Sequence, residues 1–276
     1  YLEQEYESVL SGTKSQWETI TDQSGAVVAR EESYEGKAGD NLVLTIDIDF
    51  QKEIEQIATD FLNSNVDSYN DRIYIVASDP NTGEILGMTG KQRSTSNEIV
   101  DDALGVINSS YGMGSAVKGA MVLTGYMSGV ISADNNVLVD EPLQFQGSNP
   151  KKSVFNPTIG NQVAINDIEA LARSSNVYMI KLAMLMGGQS TYESGGTLNI
   201  SPDLIDELRS YFAQFGLGVK TGIDLPNEGS GLTGFSQAAV NVVDQSFGQY
   251  DLYTTLQLSQ YINTIANGGT RYAPQL

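Results

Sequence analysis

The chain has no cysteine and no histidine. Without cysteine there are no disulfide staples and no thiolate metal sites, an absence compatible with either cytoplasm or export. Without histidine as well, a Ser-His-Asp triad and a Cys-His pair are both excluded as acyl-transfer machinery. A metal site would have to be built from oxygen alone, and no EF-hand-type loop is present, so no metal and no cofactor are expected. Basic residues are scarce, 15 Lys and Arg against 34 Asp and Glu, for a formal net charge of −19. No basic stripe is available to neutralise phosphates, so nucleic acid is not an expected partner. No window approaches about 18 consecutive apolar residues, which leaves no transmembrane helix. The chain starts at Tyr1, with neither an initiator Met nor a signal peptide, and reads as an excised or processed piece of something longer.

What is present suits a folded protein. The 276 residues are 40% hydrophobic and 18% charged, enough for one large domain or two smaller ones around a real core. A short helical start at 2–10 precedes a hairpin around Asp22-Gln23-Ser24-Gly25. Leu42 to Ile46 reads as a strand, and Asp47 or Asp49 caps a helix carrying Ile54, Ile57, Ala58, Phe61 and Leu62 at helical spacing. Two short strands, 73–77 and 85–88, are joined by the turn Asp79-Pro80-Asn81-Thr82-Gly83. Residues 90–112 read as loop and 132–165 as mostly irregular and polar. Helices are expected from Ser115 toward Gly129, at 167–173, 177–186, 202–215 and 254–267. Helices outnumber strands and the strands come early, which predicts an α+β fold.

The chemistry concentrates in Met113-Gly114-Ser115-Ala116-Val117-Lys118-Gly119-Ala120-Met121. Positions i and i+3 share a helix face, so the Ser115 hydroxyl and the Lys118 amine lie within reach of each other. A desolvated lysine has its pKa pulled down and can take a serine proton near neutral pH. A helix N-terminus also favours developing negative charge. Spacing alone leaves open the plainer alternative of an N-cap serine beside a lysine snorkelling to the surface. Ser11-x-x-Lys14 and Ser148-x-x-Lys151 repeat the pattern in polar or proline-containing loops and are read as surface. Ser174-Ser175-Asn176, between two helical runs, could turn a hydroxyl and a carboxamide toward the first pair or be a helix break with local caps. Ser68-x-Asn70 repeats that pattern too, in a polar loop.

Ser115-x-x-Lys118 followed by Ser174-x-Asn176 resembles the first two boxes of penicillin-binding transpeptidases, relatives of the serine β-lactamases that carry S-x-x-K, S-x-N and K-T-G. Leu44-Thr45-Ile46-Asp47, the 79–86 turn and strand, Thr221-Gly222-Ile223-Asp224-Leu225-Pro226 and Ala266-Asn267-Gly268-Gly269 extend the likeness. It is strongest to the monofunctional, class B, cell-elongation type of Gram-positive bacteria. It covers about residues 36–276 as a transpeptidase domain, with 1–35 as the end of a non-catalytic pedestal.

The resemblance implies a helical subdomain plus an antiparallel sheet. Ser115 would be the acylated nucleophile, its backbone N–H half of an oxyanion hole, and Lys118 the general base. Ser174 would shuttle the proton, and Asn176 would hold Lys118 and the substrate. The implied partners are peptidoglycan stem peptides ending in D-Ala-D-Ala, β-lactam antibiotics, and a membrane glycosyltransferase of the elongation machinery. The implied location is the extracellular face of the membrane, anchored by an N-terminal helix absent from this chain. Other readings on the same fold are a β-lactamase, a β-lactam sensor, or a non-catalytic cell-wall scaffold.

Two departures stand out. Met113 replaces a proline common before the nucleophile. The only Lys-Thr-Gly, Lys220-Thr221-Gly222, continues into a segment where the family's lysine is incidental. The third box and the C-terminal strands are therefore expected beyond Leu276, and a chain ending there is expected to acylate slowly or misfold.

Overall fold

The structure is a computed structural model describing residues 1–67, 69–236 and 238–276. Its N-terminal helical start is two single turns, α1 (Leu2–Glu5) and α2 (Glu7–Leu10), separated at Tyr6. The Tyr6 hydroxyl donates to Asp224, fastening this end to the segment near the C-terminus. The expected hairpin follows as β1 (Gln16–Thr21) and β2 (Val27–Tyr34). Its turn is organised by Asp22, whose Oδ1 accepts the Ser24 and Ala26 amides at 2.8 and 3.0 Å.

The strand expected at 42–46 does not form. Leu44 and Ile46 turn into the core while Val43 stays exposed, as in a strand, but no neighbour completes a ladder. The Asp47 amide beside it reaches the Leu86 carbonyl at 3.0 Å, and the Thr45 hydroxyl donates to the Ile85 carbonyl at 2.7 Å. Asp47 instead caps α3 (Ile48–Ser64), accepting from the Asp49 and Phe50 amides. Of the five apolar residues at helical spacing, Ile54, Ala58 and Leu62 are buried, whereas Ile57 and Phe61 lie on the exposed flank.

Strands β3 (Arg72–Ser78) and β4 (Ile85–Arg93) pair across the expected turn, and β5 (Ile99–Asp101) adds to β4. Residues 90–112 are thus not a loop, and the alternation that should reveal β4 is masked by Gly87, Gly90 and Lys91 in buried positions. A short helix α4 (Gly105–Asn108) and a two-residue strand β6 (Ser110–Tyr111) complete the stretch.

A 3-10 turn, Gly114–Val117, leads into α5 (Lys118–Met127). The segment after it is less irregular than expected: β7 (Leu138–Asp140) pairs antiparallel with β8 (Val163–Ile165), and Leu143 and Phe145 are buried between them in sequence. Then come α6 (Asp167–Ala172), α7 (Asn176–Met186) and α8 (Leu204–Gln214). Helix α9 (Ala239–Gln245), not foreseen, precedes β9 (Tyr253–Thr254) and α10 (Thr255–Ala266). Thr254 and Gln257 form a reciprocal capping box at the start of α10.

Two cores result. Helices α5, α7, α8 and α9 enclose one, with Met121, Tyr178, Met179, Ile180, Leu182 and Phe212 fully buried. Each such side chain contributes roughly 1.5–3 kcal/mol of burial free energy. The other lies against the β3–β4–β5 sheet, joining Ile85, Val106, Ile107, Ile223, Leu225 and Leu256. The α+β expectation, a helical subdomain plus an antiparallel sheet, is met.

Candidate active site

Ser115 sits in the 3-10 turn, exposed, one turn ahead of Lys118, which is the first residue of α5. The turn is held from behind. Strand β6 pairs with β9, and the Gly114 amide donates to the Gly248 carbonyl at 3.0 Å. Both glycines have positive φ, +53° and +76°, and a Cβ on Gly248 would stand 2.2 Å from the Gly114 oxygen. Only a residue without a side chain at 248 permits this contact, whereas a Cβ on Gly114 would meet no neighbour. On the other flank, the Tyr261 hydroxyl accepts the Ala120 amide at 3.0 Å, satisfying one of the free donors of α5.

The turn between α6 and α7 brings the second set of residues. The Ser174 amide donates to Leu171 O at 3.1 Å and the Ser175 amide to Ala170 O at 2.8 Å. This is a Schellman ending to α6, and it places Ser174 in the left-handed region at φ 52°. Glycine normally occupies that position; a side chain there costs roughly 1–2 kcal/mol. Ser175 then turns the chain into α7, its Oγ accepting the Tyr178 amide at 2.9 Å.

Lys118 meets this turn. Its Nζ donates to Asn176 Oδ1 at 2.6 Å, to the Ser174 carbonyl at 2.8 Å and to Ser174 Oγ at 3.0 Å. Only 2% of the residue is exposed. Burial pushes the amine down to about 8, against which the Asp140 carboxylate acts by favouring the charged form. The plainer alternative for Lys118, a chain snorkelling to solvent, is excluded by this burial. An ammonium has three N–H donors, and these three bonds use all of them. Loss of one proton would free a lone pair while leaving two donors to hold Asn176 and Ser174.

Of the residues expected at the site, Lys118, Ser174 and Asn176 are joined directly, and Ser115 stands exposed on the 3-10 turn that leads into Lys118. Residues that the sequence reading passed over lie beneath them. Asp140, fully buried, accepts Ser153 Oγ at 2.6 Å, Ser175 Oγ at 2.5 Å and Asn156 Nδ2 at 3.0 Å. The signal available in the sequence was the pair of carboxylates, Asp140 and Glu141, closing the apolar run Val137-Leu138-Val139. Asn176 is further fixed by donating its Nδ2 to the Lys152 carbonyl at 3.1 Å.

The decoys stay apart. Lys151 pairs with Asp244 at 2.5 Å, and Ser148 Oγ donates to the Phe145 carbonyl at 3.3 Å. Lys220 is exposed, and Thr221 is bound by its amide and hydroxyl to Glu228 at 2.5 and 2.6 Å. Ser68 lies outside the described residues. Among the described residues no cluster of side chains is arranged to hold a metal ion, and no helix is long and apolar enough to cross a membrane.

Residues 73–276 match the penicillin binding protein transpeptidase domain. The chain belongs to that family. It is 47% identical over its whole length to penicillin-binding protein 2A of Bacillus subtilis, of which it covers 39%. It is 26% identical over 97% of its length to the peptidoglycan D,D-transpeptidase FtsI of Escherichia coli K12, covering 42% of that protein. The solved structure of penicillin-binding protein 2B from Streptococcus pneumoniae R6 superposes with a TM-score of 0.88 at 37% identity, over all of this chain and 45% of that one. The chain therefore spans about two fifths of the curated relatives it matches. Its fold is the penicillin-binding transpeptidase fold, and the relatives of 38–47% identity over the full chain are class B proteins of Gram-positive bacteria.

Proposed function

We propose that this chain forms the acyl-transfer centre of a peptidoglycan D,D-transpeptidase, with Ser115 as nucleophile and Lys118 as its general base. The observation that carries the reading is a buried lysine, pushed down to about 8 and held on three sides by Ser174 and Asn176, one turn from an exposed serine.

In the reaction, neutral Lys118 takes the Ser115 Oγ proton as the oxygen attacks the penultimate D-Ala carbonyl of a stem peptide. The Ser115 amide donates to the oxygen that becomes negative. Ser174 Oγ relays the proton from Lys118 to the departing D-alanine nitrogen, leaving an ester on Ser115. The amine of a second stem peptide attacks that ester, and the proton path runs in reverse. Asn176 keeps Lys118 in line and offers its carboxamide to the substrate backbone. A β-lactam carbonyl is attacked in the same way, and its tethered leaving group leaves the ester long-lived.

Residues 36–276 are read as the transpeptidase domain and 1–35 as the end of the pedestal. The protein is placed on the outer face of the cell membrane, beside a membrane glycosyltransferase of the elongation machinery. A β-lactamase is disfavoured, because no Glu or modified Lys is positioned by the sequence pattern to activate a deacylating water.

The test is labelling of the full-length protein with fluorescent penicillin, followed by mass analysis of its peptides. A lasting adduct on Ser115, absent in Ser115→Ala, is the expected result. An unlabelled protein would point to a scaffold, and an adduct lost within seconds to a β-lactamase.

A further inference from the structure

The catalytic lysine rests on a turn, and that turn rests on one carboxylate. Asp140 ends β7 with no exposure, and Ser153 and Ser175, also without exposure, both donate their hydroxyls to its Oδ2. Asn156 donates to its Oδ1 at 3.0 Å and to its backbone carbonyl at 2.9 Å.

Both serines also accept helix amides. Ser153 Oγ accepts the Asn176 and Val177 amides at 3.1 and 3.2 Å, and Ser175 Oγ accepts the Tyr178 amide at 2.9 Å. The first three amides of α7, which have no partner inside the helix, are thus all taken by hydroxyls anchored on one side chain. The negative charge also lies where a helix N-terminus favours it. Directly on this platform sit Ser174 and Asn176, the two residues that hold Lys118.

We propose that Asp140 is a positioning residue for acyl transfer. Through Ser153 and Ser175 it sets the start of α7, so that Ser174 and Asn176 present their oxygens to Lys118. Its charge also favours the protonated amine of Lys118, opposing the effect of burial. This rests on the acyl-transfer reading above.

The chemistry calls for a carboxylate in particular. Three donors converge on its two oxygens, and an acceptor-only group satisfies them all. A carboxamide has one oxygen and two N–H donors, so whichever way it turns, one donor faces another. Other charges on the surrounding elements are engaged elsewhere. Glu141 pairs with Lys181 at 2.7 Å, and Lys151 with Asp244. Asp167 accepts from Tyr126, Glu169 closes the cap of α6, and Arg173 lies 3.9 Å over the Phe155 ring. Lys152 is exposed. Among the described residues, Asp140 is the charge that acts on Lys118, in the direction that keeps it protonated.

The test measures the second-order rate of acylation by fluorescent penicillin against pH, on the full-length protein and three variants. Asp140→Asn is expected to lower the plateau rate by about tenfold or more, because misplacing a reacting group by about 1 Å costs up to 100-fold. Its acid limb should move to lower pH, since Lys118 loses a favourable charge. Asp140→Glu should return the limb toward the wild-type position. Ser153→Ala keeps the charge and removes the anchor, so its plateau should fall with the limb unmoved.

A merely structural Asp140 would change melting temperature and leave the limb in place, and that result overturns the proposal. So does a wild-type plateau in Ser153→Ala, which decides the matter even where Asp140→Asn does not fold. A wild-type protein that takes no label at all overturns the acyl-transfer reading and this proposal with it. A labelled wild type matched in plateau and limb by Asp140→Asn overturns this proposal alone.

Discussion

Lys118 donates to Ser174 twice, at 2.8 Å to the backbone carbonyl and at 3.0 Å to the hydroxyl. The carbonyl contact depends on backbone geometry and the hydroxyl contact on the side chain, so substitutions can separate them. Ser174→Gly keeps the left-handed turn at no steric cost, whereas Ser174→Ala keeps the strain at φ 52°. Both variants should lose proton relay and show slowed acylation. The Gly variant should nonetheless melt higher than the Ala variant, by an amount corresponding to about 1 kcal/mol. Thermal melts of the two proteins side by side provide the check, and an Ala variant as stable as Gly would show that the turn is not strained.

The pH dependence follows from the direction of the lysine shift. Lys118 must be neutral to accept a proton, and burial brings it down to about 8. Acylation should therefore rise about tenfold per pH unit below that value and level off above it. A rate–pH profile flat between pH 6 and 9, on the order of the range where a perturbed lysine titrates, would remove Lys118 from the role of base.

Removing the base itself should be costly. Lys118→Ala is expected to slow penicillin acylation by about 10²–10⁴-fold. Asn176→Ala removes one of three holds on the amine and its own tie to Lys152. A smaller loss, about tenfold to a hundredfold, is expected there. Stopped-flow or gel-based labelling would rank the two, and the reverse order would contradict the assigned roles.

Lys220→Ala should leave acylation within about twofold of wild type, because surface substitutions away from a site rarely matter. The residue is exposed, and the neighbouring Thr221 is turned toward Glu228. A loss of tenfold or more in labelling rate would make Lys220-Thr221-Gly222 the third box after all.

Stability away from the site should hinge on Arg209. Its guanidinium meets Asp251 through Nε and Nη2, both at 2.9 Å, and Asp251 is 1% exposed. Arg209→Met would leave a buried carboxylate without its counter-charge, held by the Gly234 amide at 2.8 Å, at a cost of about 3–5 kcal/mol. Denaturant melts measure this, and a loss below 1 kcal/mol, the order of a surface pair, would show that the charge finds another partner.

The sequence told more about the reacting residues than about what supports them. Ser115 and Lys118 stood out because a lysine in an apolar helix violates an ordinary burial pattern, and Ser174 and Asn176 because they interrupt two helical runs, but only the resemblance to the transpeptidases suggested a role for any of the four. Asp140 and Ser153 were not, since nothing local marks a carboxylate 13 residues from the serine it will meet across a loop. The strand expected at 42–46 had the right alternation but found no ladder partner, and β4 ran on past Met88 because glycines hid its period. Helix α9 was missed for its length: seven residues carry barely two turns of pattern.

The contact between Gly114 and Gly248 bears on how a β-lactam could be escaped. Any side chain at Gly248 must push against the turn that carries Ser115, and the displacement would be felt by antibiotic and natural substrate alike. Position 248 is therefore a poor place to evolve resistance. On the acyl-transfer reading proposed above, a change there slows reaction with the drug only by slowing cross-linking as well, so the exchange brings no gain.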